Sequence, residues 1–109
     1  MTGDFIVVTL KSSEGAPIVY EWDEEKRKAN IAAHKIDFTD AAGFDWNHAV
    51  IEIDDGEDYG ELRECATGFI GAALCVLVFT RRGEHIRIIS PRKATKNEAK
   101  SYVKNQGRI

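Results

Sequence analysis

The chain has 109 residues, with 15 basic and 18 acidic side chains, a formal net charge of −3 and 43% hydrophobic residues. That length supports one domain around one core, and the hydrophobic content excludes a predominantly disordered chain. The longest apolar run, Ala72–Phe79, is of strand length and far short of the roughly 18 residues of a membrane-spanning helix.

The small net charge conceals an asymmetry. Residues 1–80 carry 6 basic and 16 acidic residues, a balance of −10, whereas residues 81–109 carry 9 basic and 2 acidic, a balance of +7. A basic last quarter on an acidic body marks either an anion or nucleic-acid surface or a Lys-rich solvated tail. Met1-Thr2-Gly3-Asp4 has no basic leader, and Phe5–Leu10 is too short for a secretion signal. Cys65 and Cys75 lie ten apart in apolar runs without zinc-ligand spacing, so they read as reduced core residues of a cytoplasmic protein.

The single domain, 1–109, divides into an N-terminal strand or arm (1–17) and a core (18–104). Phe5–Leu10 and Ile18–Trp22 are short β-prone runs around the loop Ser12–Pro17. Asp23 reads as the N-cap of a first helix, with Glu24 and Glu25 favoured in its first turn. Ala29, Ala32, Ala33 and Ile36 give that helix an apolar face. Thr39 is placed to cap a short second helix, Asp40–Phe44.

From His48 the period changes to two, predicting a strand through Ile53, a turn at Asp54-Asp55-Gly56, and a second strand over Leu62–Phe69. Ala73–Thr80 is apolar on both faces and reads as a central strand. Arg81–Glu84 turns the chain into a fourth strand, His85–Ser90, which Pro91 ends. Thr95-x-x-Glu98 is a capping box opening a last helix with Ala99, Tyr102 and Val103 as its apolar stripe. The expected fold is α+β: two N-terminal helices, an antiparallel β-meander of about four strands plus a short N-terminal strand, and a C-terminal helix.

Nucleophile elbows, phosphate-binding glycine loops and metal-ligand spacings are missing from the sequence. No metal site and no cofactor is expected. The acidic cluster Asp54, Asp55, Glu57 and Asp58 lacks the spacing of a calcium loop and reads as a solvated turn. Arginine is more informative. Arg63 and Arg87 sit inside strands, where a guanidinium needs a partner. They either converge with Arg92 as phosphate ligands or pair with acids such as Glu52 or Glu64. Lys96, Lys100 and Lys104 fall at i, i+4 and i+8 on the last helix, a spacing that costs stability unless a polyanion or acidic partner meets it. His34 closes the first helix, and His48 and His85 start strands.

Several stretches in order resemble the BrnT-like toxins of bacterial type II toxin–antitoxin modules. They are Tyr20-Glu21-Trp22-Asp23-Glu24-Glu25-Lys26 leading to Asn30, then His34, Ile36, Phe38 and Ala41-Ala42. Arg63 opens the next strand, and Arg87-Ile88-Ile89-Ser90, Arg92, Ala94, Glu98 and Tyr102 follow. Lys35 stands where that pattern usually has Gly, and Pro91 where it has a small residue.

The resemblance implies a RelE-like fold, metal-free ribonuclease activity that inhibits translation, and neutralisation by an antitoxin. That antitoxin carries a ribbon-helix-helix domain, which gives indirect contact with operator DNA. On this reading Arg63, Arg87 and Arg92 bind phosphate, and His34 is the acid–base group with Tyr102 and Glu98 behind it. Lys96, Lys100 and Lys104 bind the RNA backbone. The competing readings are a non-catalytic nucleic-acid- or protein-binding domain of the same fold and a metal nuclease using Glu52, Asp54 and Asp55.

Overall fold

The computed structural model describes residues 5–11, 17–54 and 62–106. The loop Ser12–Ala16, most of the acidic turn after Asp54 and the N-terminal tetrapeptide lie outside these residues. The elements are β1 (Phe5–Lys11), β2 (Pro17–Asp23), α1 (Glu24–His34), two 3-10 segments (Phe38–Gly43 and Trp46–His48), β3 (Val50–Asp54), β4 (Arg63–Ile70), β5 (Ala73–Arg82), β6 (His85–Lys93) and α2 (Lys96–Gln106).

These elements correct the expected architecture. The sheet has six strands in the order β1-β2-β6-β5-β4-β3, and it is mixed. β1 and β2 form an antiparallel hairpin, and β2 joins β6 in parallel through Tyr20↔Ile86 and Glu21↔Arg87. Two N-terminal helices and a four-stranded meander, the RelE-like layout inferred above, are therefore replaced by a six-stranded mixed sheet with two α-helices. The predicted second helix is a 3-10 segment capped by Asp37 and Asp40 rather than Thr39. The strand does not end at Pro91: Pro91 pairs with Leu77, and β6 runs on to Lys93. Proline fits there because its missing N–H removes one ladder bond, which a bulge between Val78 and Phe79 already perturbs two residues away.

One sheet face carries the core. Tyr20, Trp22, Ala66, Leu77, Phe79 and Ile88 project under Phe38, Ala41 and Phe44, all at most 2% exposed. Gly68 admits the Phe44 ring, because a Cβ there would lie 2.9 Å from Phe44 Cζ. α1 lies on this face against β6 and β2. Its predicted alanine face is solvent-exposed, and the helix docks through polar groups instead. Asn30, 6% exposed, donates through Nδ2 to the carbonyls of Ile36 and Pro91 and accepts from Ser90 Oγ at 2.7 Å. Arg27 ties Glu24 to Asp37 at 2.6 and 3.0 Å, linking α1 to the following 3-10 segment. Lys35 ends α1 in the left-handed region at φ 63, where Gly costs least.

On the opposite face α2 packs against β4, with Tyr102 buried edge-on to Phe69 at 5.8 Å. The capping box is formed: Glu98 N donates to Thr95 Oγ1, and Thr95 N donates to Glu98 Oε1. Val103, expected in the apolar stripe, is 69% exposed.

Asn30 is the polar bolt between helix and sheet. Asn30→Ala removes three hydrogen bonds and leaves buried backbone carbonyls unpaired, so it should destabilise the fold by about 2–4 kcal/mol in urea unfolding. A loss below about 0.5 kcal/mol would show that the helix docks by other means.

Candidate active site

The helix-free end of the second sheet face is where charge collects. Register sets the arrangement. Arg87 on β6 lies between Glu21 on β2 and Thr80 on β5. Arg63 on β4 comes one step after the Glu64↔Phe79 pair, so it flanks β5 from the other side at the level of Thr80. Strand alternation sends Glu21, Arg87 and Arg63 away from the core that holds Tyr20, Trp22, Ile88 and Phe79.

Glu21 organises the group. It is 8% exposed and accepts from Arg87 Nε at 2.6 Å on one oxygen, while His85 Nδ1 lies 3.1 Å from the other. Burial works to raise the Glu21 carboxyl, but the hydrogen bonds from His85 and Arg87 outweigh it and hold the group below the usual carboxylate range. The Arg87 guanidinium carbon sits 4.3 Å from the centre of the Phe5 ring, which fixes the plane of the fork. Among the described residues, Arg87 makes its hydrogen bond through Nε, to Glu21, and its side chain is 23% exposed.

Arg63 and Arg87 line one small cavity of about 60 Å³ together with Phe5, Asp23, Lys26 and Ile89. It has room for a few waters or a single phosphate-sized group. Asp23 is occupied as the α1 N-cap, accepting from Glu25 N at 2.9 Å. Three basic residues, Arg63, Arg87 and Lys26, thus line one concave spot beside a single acid, Asp23.

The remaining predicted site residues lie elsewhere. Arg92 pairs across β5 with Val76, four residues from Thr80, which places it roughly 13 Å along the strand from Arg87. Both its terminal nitrogens are on Glu98 at 2.8 Å. Glu98 and Tyr102 line a second cavity of about 90 Å³ with Cys65, Thr67 and Val76. Burial, followed by the charge of Asp45, pushes the Tyr102 phenol up. His34 is exposed at the end of α1, in the layer on the core-bearing face, and meets none of these arginines. Lys96, Lys100 and Lys104 are exposed on α2. Neither Glu52 nor Glu64 partners Arg87: Glu64 binds Arg81 at 2.7 Å. Among the described residues, no group of three or more His, Cys, Asp or Glu side chains is placed to hold a metal ion.

The sequence does not single out Glu21, Lys26 or Phe5 as site residues, and it offers His85 only as one of three histidines able to act as acid–base groups. Glu21 had one visible signal, an acid alternating with Tyr20 and Trp22 in a strand-like run.

The arginine-lined cavity sits on the sheet face away from the core of this mixed α+β domain, and the family comparison is more specific. Residues 22–98 match the model of a family described as the ribonuclease toxin, BrnT, of type II toxin–antitoxin systems. The match spans well over half of the chain, and the chain belongs to this family of ribonuclease toxins. RNA is thereby the implied substrate, and a cognate antitoxin the implied partner. A search of curated proteins gives no match. No helix among the described residues is long and apolar enough to cross a membrane.

The Arg92–Glu98 pair has a pH signature. Hydrogen bonds from Arg92 lower the Glu98 carboxyl to about 2, with help from the Thr95 backbone and against partial burial. A carboxyl depressed on folding stabilises the folded state above its unfolded pKa and loses that contribution as pH falls through the folded one. Wild type should therefore exceed Glu98→Gln in stability by roughly 1–2 kcal/mol at pH 7, after allowance for partial exposure. Urea unfolding should show the gap closing between about pH 4.5 and pH 2. A gap that persists at pH 2 would refute the pairing as its source.

Proposed function

We propose that the chain is a metal-independent endoribonuclease that binds the scissile phosphate of RNA at the Arg63–Arg87 cavity. On this reading it inhibits translation in the cytoplasm and is neutralised by a cognate antitoxin, whose ribbon-helix-helix domain supplies the indirect contact with operator DNA. The observation that carries the reading is that Arg63, Arg87 and Lys26 line one cavity of about 60 Å³, with Arg87 held through Nε by Glu21.

RNA cleavage needs the 2′-hydroxyl activated, the extra charge on phosphorus stabilised, and the leaving oxygen protonated. Preorganised cations aimed at the phosphoryl oxygens supply the second requirement without a metal. Glu21 and Phe5 hold Arg87 before substrate arrives, so little reorganisation is left for the transition state. Arg92 and Tyr102 serve here by seating α2 on the sheet, because Arg92 is committed to Glu98. His34 stands in the other layer and has no part in the proton transfers of this reading. Lys96, Lys100 and Lys104 grip RNA backbone along α2 without reading bases.

Arg87→Ala should keep its circular dichroism spectrum and lose at least about 100-fold in RNA cleavage measured in EDTA. Full cleavage by a folded Arg87→Ala protein would refute the site. A purified wild type that shifts RNA without cutting it would place the chain among non-catalytic binders. Each Lys→Gln change at 96, 100 or 104 should lower the salt slope of log Kd for single-stranded RNA by about 0.7. Unchanged slopes would exclude α2 from the RNA track.

A further inference from the structure

The geometry points to His85 as the group that takes the 2′-hydroxyl proton, with Glu21 as its positioning carboxylate; this assignment rests on the ribonuclease reading above. Two features make His85 the histidine suited to the task.

The first is orientation. An ionised carboxylate only accepts hydrogen bonds, so the 3.1 Å contact from Nδ1 to Glu21 Oε2 requires the proton on Nδ1. In the neutral imidazole Nε2 then carries the lone pair, and Nε2 makes no hydrogen bond among the described residues. The His85 side chain is 41% exposed, whereas the Glu21 side chain behind it is 10% exposed. A buried carboxylate fixing the tautomer of an accessible imidazole is the arrangement by which a general base is held ready.

The second is placement. His85 and Arg87 are two residues apart on β6, so their side chains leave the same sheet face roughly 7 Å apart at the backbone. They share Glu21, one oxygen each. His85 lies outside the lining of the Arg63–Arg87 cavity, on the side of Arg87 away from Ile89, so on this assignment a phosphate held by Arg87 presents its adjoining ribose toward the His85 side. The other histidines lack this combination. His48 Nδ1 is 2.8 Å from the Asp45 carboxylate but lies in a 3-10 segment away from the arginines, and His34 sits on the other layer.

His85 Nε2 takes the 2′-hydroxyl proton as O2′ forms a bond to phosphorus. The P–O5′ bond breaks, leaving a 2′,3′-cyclic phosphate, and O5′ takes a proton from solvent. The imidazolium formed on His85 is stabilised by Glu21 and later returns its proton to water. Arg63 and Arg87 hold the phosphoryl oxygens throughout.

The test is cleavage of single-stranded RNA in EDTA by wild type, His85→Ala, His85→Gln and Arg87→Ala, with binding to 2′-O-methyl RNA measured in parallel. His85→Ala should lose about 100-fold or more in cleavage and bind 2′-O-methyl RNA within a few-fold of wild type. Free imidazole should restore part of its rate. Gln keeps a donor for Glu21 but cannot carry the proton, so His85→Gln should lose as much as the alanine variant. Recovery of activity in His85→Gln would show a purely structural role and overturn the assignment. Unchanged cleavage by His85→Ala, beside a dead Arg87→Ala, would also overturn it while sparing the arginine site. A wild type that cuts no RNA would overturn the ribonuclease reading and the assignment together.

Discussion

The site depends on the Glu21 carboxylate held between Arg87 and His85. A carboxylate at 8% exposure is costly unless its oxygens are engaged by cations or donors, and here each oxygen has a partner. That requirement fixes the arginine by its Nε and the histidine by its Nδ1, while the two side chains stay 23% and 41% exposed. The pairing thus couples the stability of the β2–β6 seam to the orientation of the site.

The seam itself is unusual in the fold. β2 meets β6 in parallel over two residue pairs, while every other pairing in the sheet is antiparallel. So short a ladder has few backbone hydrogen bonds, and side chains on both faces contribute most of the hold. Tyr20 and Trp22 bury themselves in the core beneath it, and Glu21–Arg87 spans it above. The charge asymmetry of the sequence takes a definite form here. Acids from the first 80 residues meet bases from the last 29 at Glu21–Arg87 and Glu64–Arg81, whereas Arg92–Glu98 closes within the basic segment. The lysine face of α2 remains exposed, and Arg87 lines the cavity with Arg63 and Lys26.

Local patterns in the sequence were legible wherever one periodicity dominated. The Asp23 N-cap, the Thr95–Glu98 capping box, the central position of β5 and the β5–β6 turn follow from spacing and turn chemistry alone. The parallel β2–β6 pair was not legible, because nothing local to Tyr20 or Ile86 specifies a partner more than 60 residues away. The α1 docking face misled for a related reason. Its alanines carry the helical period, but the energy lies in Asn30 bonding to Pro91 and Ser90, a long-range polar contact. Arg63 and Arg87 could be singled out as strand arginines in need of a role. Their separation from Arg92 depended on register and on β6 continuing through Pro91. His85 was hidden because its meaning comes wholly from Glu21 across the seam.

The account stands or falls on where RNA phosphate sits. The most direct measurement is NMR titration of the protein with a non-cleavable 2′-O-methyl dinucleotide, following arginine side-chain and histidine ring signals. The account predicts that Arg63, Arg87 and His85 shift together, with one saturation curve, while His34 stays in place. Shifts centred on His34 and the end of α1, with Arg63 and Arg87 unmoved, would contradict it.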